Sequence, residues 1–285
     1  MSEQKKPSET ALGTAFIRAL SCFEPDPSIC GRDDLAILFL PNAQQQRLQN
    51  DRYRDKAKSR IGKGTYEYVI ARTKYIDTLF AEALNNNIEQ IVILGAGYDA
   101  RAYRFKDEMK EIPIFEVDAL FTQAAKIEKL VRAEIPHKHV RFVTVDFEKD
   151  DLESQLSASG FRKDAATLFI WEGVSLYLTP ESVDSTLNHI RSLCCGGSLL
   201  CFDYFNSRDH HLRRIEKKDE LILFGMNSKE MSDYLGSKGF SVVEDVNPDE
   251  LHRCYLTCSD GSSFGDHLNK MNIVRSVRDP AKPGV

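Results

Sequence analysis

The sequence predicts an α/β fold: an open, mostly parallel sheet with helices on both faces. Three observations carry this. Beyond about residue 88, short apolar runs alternate with helical patterns. The first apolar run ends in a Gly-Ala-Gly turn. The composition, 42% hydrophobic and 28% charged over 285 residues, is that of a globular chain with a core. A chain of this length forms one large domain or one domain with a cap.

The elements follow in order. The first ten residues are polar and read as unstructured. Residues 10–22 place Leu12, Ala15, Phe16, Ala19 and Leu20 on one helical stripe. A loop with Pro25, Pro27 and Gly31 leads to a short apolar segment at 35–40, stopped by Pro41. Residues 42–60 are polar and highly charged and read as helical or partly mobile. A long helix is expected over 65–84, with Tyr68, Val69, Tyr75, Ile76, Leu79, Phe80 and Ala83 apolar and an Asn run ending it.

Strands are then expected at 90–94, 112–117, 140–145, 166–171 and 198–202. Helices at 99–105, 119–134, 150–159 and 180–194 separate them. Continuous apolar strands joined by helices describe a parallel sheet covered on both faces, with right-handed crossovers. Residues 207–222 read as a charged helix. Residues 229–238 read as another, closed by Gly239. Two more strands are expected at 240–246 and 272–277, while 248–271 shows no assignable pattern.

Several function classes are excluded. A net charge of -5 argues against a dedicated nucleic-acid binder. No apolar run approaches the ~20 residues of a membrane span, and the polar N-terminus lacks the apolar core of a signal peptide. Seven cysteines at irregular positions suit the reduced thiols of a cytoplasmic protein. Cys254 and Cys258 lack a second Cys/His pair, so no metal site is expected.

In an open α/β sheet, ligands bind outside the carboxyl ends of the strands. After the first strand, Gly95-Ala96-Gly97 permits a tight turn and close backbone approach. With Ala100 it fits the dinucleotide fingerprint; it also fits the shorter turn of enzymes that hold S-adenosylmethionine. Asp118, about 20 positions on, is placed to accept ribose hydroxyls, or else to cap the helix after it. Glu116 shares its facing and reads as a supporting partner. Asp146 and Phe147 end the third strand and suit an adenine pocket.

Glu172 ends the fourth strand beside Gly173. A carboxylate there is costly unless it meets a cation, and a methionine ammonium would supply one. Thr179 and Pro180 start the next helix. Carboxylates at three successive strand ends, with no Tyr-x-x-x-Lys or His–Asp hydride site, favour S-adenosyl-L-methionine over a nicotinamide. A nicotinamide-dependent oxidoreductase and a non-catalytic cofactor-binding protein remain the alternatives. No catalytic residue is fixed; Tyr177, Tyr204, His210 and His211 are the acceptor-side candidates. Arg208, Arg213 and Arg214 would suit an acidic substrate.

The runs ILGAGYDARAYRF, FEVD and LFIWEGVSLYLTPE resemble the leucine carboxyl methyltransferase family, closest to its bacterial branch. TALGTAFIRAL and DDLAILFLP extend the resemblance over roughly residues 10 to 205. Asp99, Arg101 and Arg104 are its distinctive mark. The resemblance implies a Rossmann-like, seven-stranded class I methyltransferase sheet. It implies an N-terminal helical cap over 1–64, a catalytic domain over 65–285, and a lid insertion after the fifth strand at about 205–235.

By the same resemblance, Gly95, Ala96 and Gly97 line the cofactor and Asp118 holds its ribose. Asp146 and Phe147 frame the adenine, and Glu172 faces the methionine part. Arg72 would bind the methionine carboxylate, for which a guanidinium fork is apt; Arg32 is a second basic candidate. The activity implied is methyl transfer to a carboxylate or hydroxyl of a small molecule or peptide terminus. The acceptor itself and the oligomeric state are not legible.

Overall fold

The computed structural model describes residues 6–147, 149–206, 222–266, 268 and 270–280. Four helices come first: α1 (Glu9–Ser21), α2 (Asn42–Leu48), α3 (Asp51–Lys58) and α4 (Thr65–Asn85). The alternating part then runs β1 (Gln90–Leu94), α5 (Arg101–Arg104), α6 (Lys106–Met109), β2 (Ile114–Asp118) and α7 (Leu120–Arg132). It continues with β3 (Val140–Thr144), α8 (Leu152–Ala158), β4 (Thr167–Trp171), α9 (Pro180–Leu193) and β5 (Leu199–Phe205). Last come α10 (Ser228–Ser237), β6 (Phe240–Val246), α11 (Pro248–Tyr255) and β7 (Met271–Arg278).

Among the described residues the strands form one seven-stranded sheet in the order β3-β2-β1-β4-β5-β7-β6. The first five run parallel, and β7 lies antiparallel between β5 and β6. Strand alternation sorts the apolar runs into two cores. Ile91, Ile93, Ile114, Leu168 and Ile170 pack against α1, α4 and α11. Val92, Leu94, Phe115, Phe169 and Trp171 pack on the other face against α8, α9 and α10. Both faces are covered, which is why these strands read as unbroken apolar runs.

The segment before α4 shares the first of these cores. It contributes Ala15, Leu20, Ile29, Phe39 and Leu48 to the cluster that holds Ile91 and Phe80. Residues 35–40 are a 3-10 turn (Ala36–Phe39), with the Ala36 N–H donating to Asp33 Oδ1 at 3.1 Å.

The expected helix at 99–105 is broken. Asp99 Oδ1 accepts the Arg101 N–H at 2.7 Å, a local turn that delays the helix to Arg101. Non-helical backbone at Phe105 (ψ 19°) then separates α5 from α6. Beyond β5, part of the expected insertion is described: the Leu223 N–H bonds Leu176 O and the Met226 N–H bonds Phe205 O. Residues 207–221, including the expected charged helix, lie outside the described residues.

The unassigned span holds α11. Asn247 accepts the Glu250 N–H at 3.0 Å, and Glu250 accepts the Asn247 N–H at 3.1 Å. This reciprocal cap, with Pro248 at the first helical position, starts the helix. Leu251 and Leu256 then bury against the α4 side of the core. Replacing Asn247 by alanine removes the cap and is expected to cost about 1 kcal/mol. Urea denaturation, with an unchanged slope, checks this.

Candidate functional site

Strand order reverses between β1 and β4, with β2 and β3 to one side and β5 to the other. Outside the carboxyl ends at this point lies a crevice of about 1420 Å³. Its walls are the four segments that leave β1 to β4, together with one face of α1. Ala11, Thr14 and Arg18 of α1 share that face because residues three and four apart stack along a helix.

The glycine turn is conformationally special. Gly95 and Gly97 have φ of +65° and +47°, which L side chains rarely adopt. A Cβ at Gly95 would overlap a methyl of Val174, and one at Gly97 would meet the Ala11 methyl at 3.0 Å. The turn therefore sits against both the segment after β4 and the cap helix. Asp118 fastens it to β2: its Oδ2 accepts the Gly97 N–H at 2.5 Å and its Oδ1 accepts the Ala119 N–H at 2.6 Å. Burial raises the Asp118 pKa, and the two backbone N–H groups oppose that rise.

At the end of β4, Glu172 is enclosed by arginines. Arg101 Nη1 donates to Glu172 Oε2 at 2.7 Å, and Arg72 Nε lies 2.8 Å from Glu172 Oε1. Burial pushes the Glu172 pKa up; Arg101, then Arg72 and Arg18, overcome it and hold it down to about 2. The Arg72–Oε1 pair lacks hydrogen-bond alignment, so both atoms are buried without a bonded partner. Arg72 also donates to Asp203 Oδ2 at 2.7 Å, which accepts from Tyr68 as well, while Asp203 Oδ1 accepts the Gly173 N–H at 2.6 Å.

The crevice brings together most of the residues singled out in the sequence. Arg72, Gly95, Ala96, Gly97, Asp118, Asp146, Phe147, Glu172 and Tyr177 all line it. Asp146 is half-exposed at the rim and pairs with Lys149 at 2.9 Å. Glu116 lies beneath the sheet end, paired with Lys126 at 2.6 Å. Burial raises its pKa to about 7 against the pull of that lysine.

Two sequence expectations are corrected. Tyr204 does not reach the crevice: it is wholly buried on β5 and its hydroxyl donates to Asp245 Oδ2 at 2.7 Å. Its position along the strand points it to the α8–α10 face. Arg32 lines a separate shallow pocket beside Tyr103 and Arg104. The basic residue that the early segment gives to the crevice is Arg18, held by Asp33 at 2.8 Å and by Tyr98 O at 2.6 Å. His210, His211, Arg208, Arg213 and Arg214 lie outside the described residues.

Arg18 was detectable as a charge seven residues from Ala11 on a small-residue face. Asp77 carried no such signal; only the tertiary fold brings it beneath Arg101 and Arg104, at 2.7 and 2.8 Å.

Residues 11–191 match the leucine carboxyl methyltransferase family. A Mycobacterium avium (strain 104) protein is 33% identical over 227 residues, 75% of this chain and 70% of its own length. A Mycolicibacterium paratuberculosis protein is 32% identical over 266 residues, 86% of this chain and 82% of its own. Both are provisionally named S-adenosyl-L-methionine-dependent methyltransferases. Among solved structures, one provisionally described as a methyltransferase, from Thermobifida fusca YX, superposes with a TM-score of 0.59. It is 18% identical, over 97% of this chain and 96% of that one. At that identity the likeness speaks for the fold alone, a class I methyltransferase sheet.

Two outcomes follow from the geometry. Gly95→Ala combines strained backbone with a side-chain overlap and is expected to cost about 1–3 kcal/mol in thermal or urea unfolding. Glu172→Gln leaves buried arginines short of a partner, an expected loss of about 3 kcal/mol at neutral pH. The Glu172 pKa is depressed in the folded state, so its contribution is complete above the unfolded value of about 4.3. It is lost as pH falls toward about 2. Urea melts of both proteins at pH 7, 5 and 3 should therefore converge on acidification.

Proposed function

The chain belongs to the leucine carboxyl methyltransferase family, and from that premise we propose that it methylates a carboxylate of a small molecule or peptide terminus. It is an S-adenosyl-L-methionine-dependent methyltransferase. The observation that carries the site assignment is the pairing of two features across one crevice: Asp118 beside the glycine turn, and the Arg72–Glu172 pair at the end of β4.

The residues fit the cofactor. The buried network around Glu172 contains Arg18, Arg72, Arg101 and Arg104 against Asp33, Asp77, Asp99, Asp203 and Glu172. It is one positive charge short among the described residues. Glu172 Oε1 and Arg72 Nε, an ion pair at 2.8 Å without hydrogen-bond alignment, supply a carboxylate and a guanidinium that match the ammonium and carboxylate of an amino-acid end. When bound, the cofactor supplies an electrophilic methyl group on a sulfonium.

In this reading Asp118 accepts the ribose hydroxyls, Gly95, Ala96 and Gly97 admit close approach, and Asp146 and Phe147 bound the adenine. Arg72 and Glu172 hold the amino-acid end, and Tyr177 borders the acceptor side. The principal catalytic contribution of the chain is orientation inside a crevice screened from water by α1.

The choice of a carboxylate rests on proton accounting. An α-carboxyl with a pKa of about 3.3–3.7 is already ionised at neutral pH and needs no general base. A hydroxyl acceptor would need a base, for which His210 and His211, outside the described residues, are the sequence candidates. The reading includes a cytoplasmic location, supported by seven thiols without disulfide partners.

Calorimetry with S-adenosylhomocysteine and NAD tests the cofactor: the former binds, the latter does not, and Asp118→Ala weakens binding at least tenfold, the scale of a lost charged hydrogen-bond pair of about 1.5–3 kcal/mol. Incubation of acceptor pools with methyl-labelled cofactor tests the acceptor. A carboxyl ester releases volatile methanol in mild base. Base-stable label would instead rule out a carboxyl acceptor.

A further inference from the structure

The motif Asp99-x-Arg101-x-x-Arg104 entered the function assigned so far only as part of a charge balance, with no individual role, although Asp99 lines the crevice. We propose that Arg101 is a positioning residue that orients Glu172 for the amino-acid end of the cofactor, with Asp77 of α4 as its anchor. The proposal rests on the cofactor reading above and assigns a role to a residue outside it.

The geometry is specific. The Arg101 side chain is 2% exposed and touches three carboxylates from three elements. Its Nε donates to Asp77 Oδ1 at 2.7 Å, fixing the plane of the guanidinium against α4. Arg104 binds both oxygens of the same Asp77 at 2.8 Å, so the anchor is itself held from the second arginine of the motif. Arg101 Nη1 donates to Asp99 Oδ2 at 2.5 Å and to Glu172 Oε2 at 2.7 Å. The Arg101 backbone N–H closes the turn on Asp99 Oδ1. Glycine turn, α4 and the end of β4 are thus joined through one guanidinium.

This arrangement divides the two oxygens of Glu172. Oε2 is bonded to Arg101, while Oε1 faces Arg72 Nε at 2.8 Å in an ion pair without hydrogen-bond alignment. Arg101 gives Glu172 a single N–H, but its guanidinium is planar and is held by Asp77 and Asp99, so the position of Oε2 is fixed and Oε1 is turned toward Arg72. Arg101 also keeps the carboxylate charged in a buried place, where desolvation alone would neutralise it. The other groups acting on Glu172 are Arg18 from α1, Tyr68 and Arg72 from α4, Asp99 at the glycine turn, and Cys201 and Asp203 from β5. Of these, Arg72 is shared with Asp203, and Arg18 is bonded to Asp33 and Tyr98 O.

The test is S-adenosylhomocysteine binding by calorimetry from pH 5 to 8, with circular dichroism and melting as controls for folding. Wild type and Glu172→Gln should each show no Glu172 titration in this range. Arg101→Lys should bind about tenfold more weakly at pH 7, the scale of one loosened charge-assisted hydrogen bond. Its deficit should grow toward pH 5, because the shorter lysine ammonium reaches Asp77 but not Glu172, which then takes up a proton more readily. In a Glu172→Gln background Arg101→Lys should add nothing.

An Arg101→Lys protein whose pH profile parallels wild type, or whose loss is added in full to that of Glu172→Gln, overturns the proposal. If Arg101→Lys does not fold, Asp77→Asn carries the test, since it keeps both Arg101 and Glu172 charged. Weaker binding that disappears in the Glu172→Gln background supports the anchor; wild-type affinity in Asp77→Asn refutes it. Failure of the cofactor reading looks different, because the unaltered protein would then not bind S-adenosylhomocysteine.

Discussion

A carboxylate cannot remain charged at the end of a buried strand unless cations enclose it, and most of this site follows from that constraint. Glu172 leaves β4 inside the molecule, and its charge draws Arg72 from α4 and Arg101 from the turn beyond β1. Those arginines recruit Asp203, Asp77 and Asp99 in turn. Through Arg104 and Asp33 the chain of pairs reaches Arg18 in the cap helix. Elements far apart in sequence are thereby registered against one another by a buried polar network. Removing any one partner would leave another charge uncompensated in a low dielectric.

The sheet supplies the place for this network. Order reverses between β1 and β4, so the segments leaving the two strands diverge and open a crevice. The glycine turn and Asp118 close one end, and α1 closes the top through Ala11 and Arg18. The segment before α4 is continuous with the core beneath the sheet, and its α1 also forms a wall of the site.

Much of this was legible in the sequence. β1 and β6 were bounded to the residue, because both lie between clear breakers, and the crevice-lining carboxylates followed from their positions at strand ends. What failed did so for identifiable reasons. Tyr204 was placed near the site by chain position alone, but a strand turns alternate residues to opposite faces. Glu172 was expected to wait for a ligand ammonium as its cation. The fold already gives it two arginines, and neither pairing has a sequence spacing that could reveal it. The helix α11 was missed although Asn247-Pro248-Asp249-Glu250 is a start signal, since only Leu251 is buried within its two turns, with Tyr255 partly so and Leu256 following at the cap.

The antiparallel strand between β5 and β6 has a consequence for how the molecule is made. β7 is the last of the described strands in the chain, yet it occupies an interior slot with hydrogen bonds to both neighbours. During synthesis β5 and β6 emerge first and cannot pair with each other in the final order. Each must keep an open edge until residues 271–278 leave the ribosome. Such edges are templates for association with other chains. The nascent protein is therefore exposed to aggregation between the emergence of β6 and that of β7, and insertion of β7 covers the facing edges of β5 and β6 at once.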